Sequence, residues 1–139
     1  MKMKEAFEAY ERIRYRLPDV TRRADCHRLP NLDYLASEID VFLLDAFGVL
    51  NIGETAIPGV PERVAGLQKG GKRVMVVSNA AGYPHSTLMR KYKRLGYNFD
   101  PEDVITSRTA TLAAINKMPP TKWGIMDTEI WGLEDLEHL

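Results

Sequence analysis

Short apolar runs alternate along this chain with segments of helical pattern. The clearest apolar runs lie at 40–45, 73–78 and 103–107, and helical segments at 61–71 and 84–96 connect them. Connections of this length are typical of crossovers between parallel strands. Because the runs are almost continuously apolar, both faces of the sheet are expected to be covered. The pattern predicts the α/β class, with a doubly wound parallel sheet.

Less regular segments surround this pattern. Residues 4–17 carry an apolar stripe at helical spacing, and a short helix is expected at 32–37. A further helix is predicted at 107–118, where Ser107 is a suitable cap. The apolar residues at 122–126 suggest a fourth strand.

Bulk composition excludes several classes of protein. The chain has 139 residues, with 19 basic and 19 acidic side chains, so a general electrostatic nucleic-acid binder is not expected. One cysteine excludes an internal disulfide framework. No apolar stretch approaches the roughly 20 residues of a membrane span, and the N-terminus is too polar for a signal peptide. These features predict a cytoplasmic protein that binds neither nucleic acid nor membrane.

Polar side chains stand where the predicted strands end, at Asp45, Ser78 and Ser107. Functional groups collect beyond the carboxyl ends of strands in open α/β sheets. If the first two strands are neighbours, Asp45 and Ser78 share one crevice. The small-residue segment 79–84 then leads into a helix, and its N–H groups suit a phosphate. The alternative is that both side chains only cap turns.

Three segments resemble the haloacid-dehalogenase-like (HAD) hydrolase superfamily. LLDAFGVL (43–50) is similar to its first motif, an apolar strand that ends Asp-x-Asp-Gly-Val, and VMVVSNAAG (74–82) is similar to its second, which ends Ser/Thr-Asn. Between them, the segment at 51–74 resembles the capped type IIA branch of nitrophenyl-, pyridoxal- and phosphoglycolate-phosphatase type enzymes, and the match continues at 95–111. The resemblance covers about residues 38–139, which implies a Rossmann-like core.

The resemblance implies a set of site residues. Asp45 corresponds to the nucleophile, which forms an aspartyl-phosphate with a small phosphorylated metabolite. Mg²⁺ is expected on the Asp45 carboxylate and the backbone carbonyl of Phe47. Ser78 is expected to act with Asp45 in catalysis by donating a hydrogen bond to the phosphoryl group. The expected phosphate-binding residues are Gly48, Asn79 and Ala80.

One position departs from the family pattern. The phosphatases carry a second aspartate two residues after the nucleophile, which protonates the leaving group and later activates water. Phe47 stands there in this chain and cannot transfer a proton. His85, near the second motif, is either a substitute acid or base or an exposed first-turn histidine.

The family also needs a downstream lysine and metal-binding acids, and this chain has no segment corresponding to theirs. By this comparison it consists of an N-terminal helical arm (1–37), the front half of a HAD-like core (38–118) and the start of a cap-like segment (119–139). Four acids of the last segment are candidate replacements: Asp127, Glu129, Glu134 and Asp135.

Two functions follow from the resemblance. The first is a truncated Mg²⁺-dependent hydrolase that is weakly active or inactive, and the alternative is a catalytically dead binding or assembly module. An incomplete sheet leaves the strand at 40–45 with an open edge, which recruits another strand. A homodimer, a swapped assembly or coverage by the arm is expected.

Overall fold

The computed structural model describes residues 2–18, 27–126 and 134–137. The chain divides into two compact units, Met1–Pro30 and Asn31–Leu139. This division lies before the boundary predicted after residue 37, and the separation of a core (38–118) from a cap-like segment (119–139) stays a prediction. No helix among the described residues is long and apolar enough to span a membrane.

The first unit contains the predicted N-terminal helix in a shorter form. Helix α1 spans Met3–Arg12, and a 3-10 turn follows at Arg14–Arg16. Phe7 and Tyr10, which form part of its apolar stripe, are exposed.

The second unit alternates strands and helices as the pattern predicts. Its first elements are a 3-10 turn at Leu32–Leu35, β1 (Val41–Leu44), β2 (Asn51–Ile52), β3 (Thr55–Ala56) and α2 (Val60–Lys69). They are followed by β4 (Arg73–Ser78), α3 (His85–Arg94), a 3-10 turn at Pro101–Asp103, β5 (Val104–Thr106) and α4 (Ser107–Ile115).

The main sheet has three parallel strands in the order β1–β4–β5. Phe42 lies opposite Val74, and Val76 lies opposite Val104. These side chains are buried in one core with residues of α2 and α3, such as Val64. The α/β class and the parallel sheet are therefore confirmed, and β1 lies at an edge of the sheet in the described part of the chain.

The expectation that both sheet faces are covered is wrong for the described residues. Alternate side chains along each strand remain exposed, and together they form an apolar sheet face: Val41 (47%), Leu43 (64%), Val77 (43%) and Ile105 (39%). Side chains alternate between the two faces of a strand, so the helices that bury one face leave the other open. An apolar strand therefore does not by itself establish that both of its faces are covered.

Two local predictions are also corrected. Residues 122–126 form no strand; they follow two prolines, contain Gly124, and are exposed. The cap of α4 is Thr106, whose Oγ1 accepts the N–H of Thr109 at 3.2 Å. Thr106 has extended backbone whereas Ser107 is already helical, and a cap residue must be non-helical.

A hairpin that was not predicted follows the first strand. Strands β2 and β3 pair antiparallel across a two-residue turn in which Gly53 has φ +57°. Glycine at a positive φ is the usual residue of such turns, so Gly53 was the available signal. The hairpin contacts α3 through Glu54, which lies 2.8 Å from Nζ of the buried Lys91 and 3.2 Å from Nη2 of Arg94.

A buried hydrogen bond anchors the chain just before the hairpin. The hydroxyl of Tyr97 donates to the carbonyl of Leu50 at 2.6 Å, and both residues are buried. Tyr97 stacks on Phe99 at 5.5 Å between ring centroids, and Tyr92 meets both rings edge-on. The aromatic cluster therefore fixes the segment that connects β1 to the hairpin.

We expect Tyr97→Phe to lower the free energy of unfolding by about 1–3 kcal/mol, because it leaves the buried Leu50 carbonyl without its donor. Urea denaturation measures the change. Tyr34→Phe, at an exposed tyrosine, is the matched control and should change stability by much less. Equal effects of the two substitutions would contradict the proposed anchoring.

The contact between the hairpin and α3 is expected to weaken in acid. The hydrogen bond from Lys91 lowers the pKa of Glu54 below its ordinary value of 4.5. A carboxylate whose folded-state pKa is lowered stabilises the fold above its unfolded-state pKa, and this contribution is lost as the pH falls through the folded-state pKa. Acid titration followed by the Gly53 amide resonance should show this transition, and Glu54→Gln should abolish it. If the transition persists in Glu54→Gln, another titrating group causes it.

The apolar sheet face and the open edge of β1 predict self-association. Light scattering after size exclusion should give a mass above that of the monomer, and Leu43→Lys should shift it toward the monomer. Ile52→Lys, at an exposed hairpin residue, is the control that should leave the mass unchanged. A chain that stays monomeric at all concentrations, both with residues 1–37 and without them, would contradict the prediction.

Candidate active site

Asp45 directly follows β1, and its side chain is exposed. Its Oδ1 accepts the N–H of Ala46 at 2.7 Å. This short-range contact orients the carboxylate and uses one of its two oxygens. Asp45 is therefore an accessible, oriented carboxylate at the carboxyl end of a strand, as the sequence predicts.

The chain reverses immediately after Asp45. The carbonyl of Ala46 accepts the N–H groups of Val49, Leu50 and Asn51 at 2.8–3.3 Å, and Gly48 donates to the Asn51 carbonyl at 2.8 Å. Gly48 has φ +81°, a conformation that a side chain at this position would strain. Glycine at this position therefore permits the sharp turn by which the chain leaves β1.

Phe47 lies at the outside of this turn. Its side chain is 69% exposed, although it is aromatic. The described hydrogen bonds of the turn are accepted by the carbonyls of Ala46 and Asn51, and none is accepted by that of Phe47. Beside Asp45 the turn therefore presents an exposed ring and a carbonyl oxygen with unused acceptor capacity.

Ser78 ends β4, the strand that pairs with β1. Leu44 lies opposite Val76, so Asp45 and Ser78 leave adjacent strands at the same edge of the sheet. The N–H of Ala80 donates to Ser78 Oγ at 3.3 Å, which leaves the hydroxyl proton available for another acceptor. Asn79 is exposed and Ala80 half-buried. The strand ends are adjacent as predicted, while convergence of the side chains on one phosphate stays a prediction.

The segment at 79–84, here called the crevice loop, also contacts a side chain of α4. Arg108, in the first turn of α4, is buried and donates from Nη1 to the Ala81 carbonyl at 3.4 Å. Sequence reasoning missed this residue, because an arginine at the start of a helix is usually solvated. Its burial depends on which elements pack around the loop.

Two of the four acids proposed as replacement metal ligands contact α3 instead. The Asp135 carboxylate accepts the N–H of His85, and that of Glu134 accepts the Ser86 hydroxyl, so both contact the first turn of α3. Asp127 and Glu129 lie outside the described residues. Within the described ranges, no group of three His, Cys, Asp or Glu residues is placed to hold a metal.

His85 is half-buried rather than exposed. Its Nδ1 is shielded from solvent and has no hydrogen-bond partner among the described residues. The interpretation as an exposed first-turn histidine is therefore wrong, and its use as an acid or base stays a prediction.

Tyr92 is a second residue that the sequence analysis missed. Burial, together with the negative charge of Asp45, raises its pKa to about 12. The phenol therefore stays neutral at physiological pH. It belongs to the same buried core as Phe42 of β1, the strand that Asp45 follows.

The turn after β1 offers two oxygen ligands for a hard cation. These are the second oxygen of the Asp45 carboxylate and the carbonyl of Phe47. Mg²⁺ usually binds one or two carboxylates and completes its shell with water and substrate phosphate oxygens. The residues present therefore fit such a site, with most ligands coming from solvent and substrate.

Comparison with known proteins gives consistent matches. The family model described as "Haloacid dehalogenase-like hydrolase" matches residues 42–129. Phosphoglycolate phosphatase 1A of Arabidopsis thaliana is 30% identical over 107 residues, which cover 76% of this chain and 30% of that protein. Glycerol-3-phosphate phosphatase of Rattus norvegicus is 40% identical over 63 residues, covering 45% of this chain and 20% of that protein.

A solved structure shares the fold. Glycerol phosphate phosphatase of Mycobacterium tuberculosis, in complex with magnesium, has a TM-score of 0.51 and 25% identity, covering 62% of this chain and 26% of that one. The chain thus spans about a third or less of the length of these relatives. Since the family model covers more than half of the chain and the relatives are phosphatases, the chain belongs to the haloacid dehalogenase-like hydrolase family.

Proposed function

We propose that this chain carries the phosphoryl-transfer site of a phosphatase-type hydrolase, with Asp45 as the nucleophile. The observation that carries the proposal is the accessible Asp45 carboxylate, one strand away from the Ser78 hydroxyl and the crevice loop. The substrate class is a small phosphate ester, by analogy with relatives named for phosphoglycolate and glycerol 3-phosphate. A cytoplasmic location remains part of the same proposal.

The reaction proceeds in two displacements. The free carboxylate oxygen of Asp45 attacks phosphorus, the bond from phosphorus to the ester oxygen breaks, and the leaving group departs as an oxyanion that takes a proton from water. Water then attacks the phosphorus of the aspartyl-phosphate, which releases inorganic phosphate and restores the carboxylate.

Neighbouring groups hold the phosphoryl oxygens during these steps. The Ser78 hydroxyl accepts the Ala80 N–H, and its own proton remains available for a phosphoryl oxygen. Asn79 and the loop N–H groups supply further contacts, whereas the Gly48 N–H is already donated to the Asn51 carbonyl. The Asp45 carboxylate and the Phe47 carbonyl would hold Mg²⁺, which when bound would supply positive charge against the phosphoryl oxygens.

Phe47 determines which esters this site can cleave. A side chain that protonates the leaving group contributes about 10²–10⁴-fold to the rate, and phenylalanine cannot supply that proton. An acidic alcohol such as nitrophenol leaves without a proton, whereas an alkyl alcohol does not. The site therefore favours esters of acidic alcohols, and its phosphoenzyme is expected to react slowly with water.

A second function is favoured by the same residue. An exposed aromatic ring beside the nucleophile position is suited to contact with a partner. If the chain forms no phosphoenzyme, a catalytically inactive binding or assembly module explains the retained crevice.

We expect 4-nitrophenyl phosphate with Mg²⁺ to label Asp45, and glycerol 3-phosphate to be hydrolysed at least about 100-fold more slowly. Peptide mass spectrometry locates the added phosphoryl group, and phosphate release gives the rates. Asp45→Asn should abolish both labelling and turnover.

The control is Asp40→Asn, which removes an exposed acid at the opposite end of β1. Its labelling should match that of the wild type. Turnover that survives Asp45→Asn would refute the nucleophile, and absence of labelling with either ester would favour the binding module.

A further inference from the structure

Arg108 connects three parts of the second unit. It is 8% exposed, and its guanidinium lies 3.4 Å from the Ala81 carbonyl of the crevice loop. Its Nη2 donates to the Glu134 carbonyl at 2.6 Å, and its Nε lies 3.9 Å from Oδ2 of Asp135. One buried cation thus contacts both the loop and a turn that lies 26 positions after Arg108 in the sequence.

Asp135 contributes a second attachment under backbone strain. Its φ of +72° is the only positive value at a non-glycine residue within the described ranges. Its carboxylate accepts the N–H of His85 at 2.9 Å, at the first residue of α3. A strained conformation persists only when its surroundings compensate for it, and the hydrogen bond and the Arg108 charge are the compensating interactions here.

These contacts hold the end of the crevice loop that leads into α3. The beginning of the loop is held by the Ala80 N–H on Ser78 Oγ, one step from β4. Its later part is held through the Ala81 carbonyl and through the first N–H of α3. The loop is therefore fixed at both ends, and only the first attachment is local in sequence.

We propose that Arg108 and Asp135 are positioning residues, which hold the crevice loop in the conformation that binds phosphate. This inference rests on the proposed function, because it assigns the loop N–H groups to the phosphoryl oxygens. Neither residue touches the substrate. They order the loop before phosphate binds, so that the free energy of binding is not reduced by the entropy cost of ordering the loop.

The inference also defines what couples the loop to the rest of the chain. Glu134 and Asp135 belong to the predicted cap-like segment (119–139), so the loop is attached directly to residues of that segment. Phosphate affinity in this chain then depends on residues remote in sequence from both motifs.

Two substitutions at Asp135 separate its hydrogen bond from its backbone. Asparagine and glycine both tolerate a positive φ, and both remove the charge, but only asparagine keeps an oxygen that accepts the His85 N–H. We expect the dissociation constant for inorganic phosphate to be about threefold to tenfold higher in Asp135→Gly than in Asp135→Asn, the range of one hydrogen bond. Titration followed by the amide resonances of residues 80–82 measures it.

Arg108→Gln should weaken phosphate binding in the same way and shift the Ala81 and Gly82 resonances before phosphate is added. Arg63→Gln is the matched control, because Arg63 pairs with Asp33 away from the loop. Thermal unfolding of every variant is measured in parallel, so that a change in global stability is not read as a change in the loop.

The outcomes are distinguishable. Equal phosphate affinity of Asp135→Gly and Asp135→Asn, with equal hydrogen-exchange protection of the His85 amide, would overturn the positioning role. If the wild-type chain binds no phosphate and Ser78→Ala changes nothing, the proposed function fails. Hydrogen exchange of the His85 amide and the Ala81 and Gly82 chemical shifts, both measured without phosphate, still test whether Arg108 and Asp135 order the loop. Values that are unchanged in the variants would reject this role, and altered values would support it.

Discussion

The parallel pairing of β1 with β4 is the constraint on which the candidate site depends. Its register sets Leu44 opposite Val76, and so places Asp45 and Ser78 at neighbouring strand ends. A shift of one residue would exchange the faces of every side chain on β1, sending Phe42 out of the core. The apolar residues that bury this face therefore also set the position of the carboxylate.

The turn and the hairpin that follow Asp45 are held both by local hydrogen bonds and by contacts to residues of α3 and the segment after it. Three N–H groups close on the Ala46 carbonyl, Tyr97 anchors Leu50, and Lys91 holds Glu54 of the hairpin. The latter two anchors belong to α3 or to the segment that follows it. The site is thus built between two strand ends and one helix, and the rigidity of its turn derives from buried contacts rather than from the turn alone.

Phe47 and the apolar sheet face are exposed for different reasons. Phe47 is exposed because the turn at Gly48 directs the chain outward, next to the carboxylate. Leu43 and Val77 are exposed because the helices of the described unit pack on the opposite face of the sheet. The first feature concerns the chemistry of Asp45, and the second concerns what packs against the sheet.

Local patterns were sufficient for the class of fold, the positions of β1, β4 and β5, and the polar residues at their ends. Apolar runs, proline and glycine act over a few residues, so these features are readable along the chain. The hairpin had only Gly53 as its signal, and the cap of α4 differed by one residue because Thr106 still has extended backbone. The prediction of a strand at 122–126 was wrong, because apolar residues form a strand only where a neighbouring strand is available for pairing.

The amino-acid sequence by itself therefore determined the strand–helix alternation, the candidate nucleophile and the absence of an acid at Phe47. Tertiary structure alone decided which sheet face is covered, that Arg108 is buried behind the crevice loop, and that Asp135 reaches the first turn of α3. Burial and long-range hydrogen bonds depend on elements that are distant in the chain, and their partners are chosen only when the elements pack.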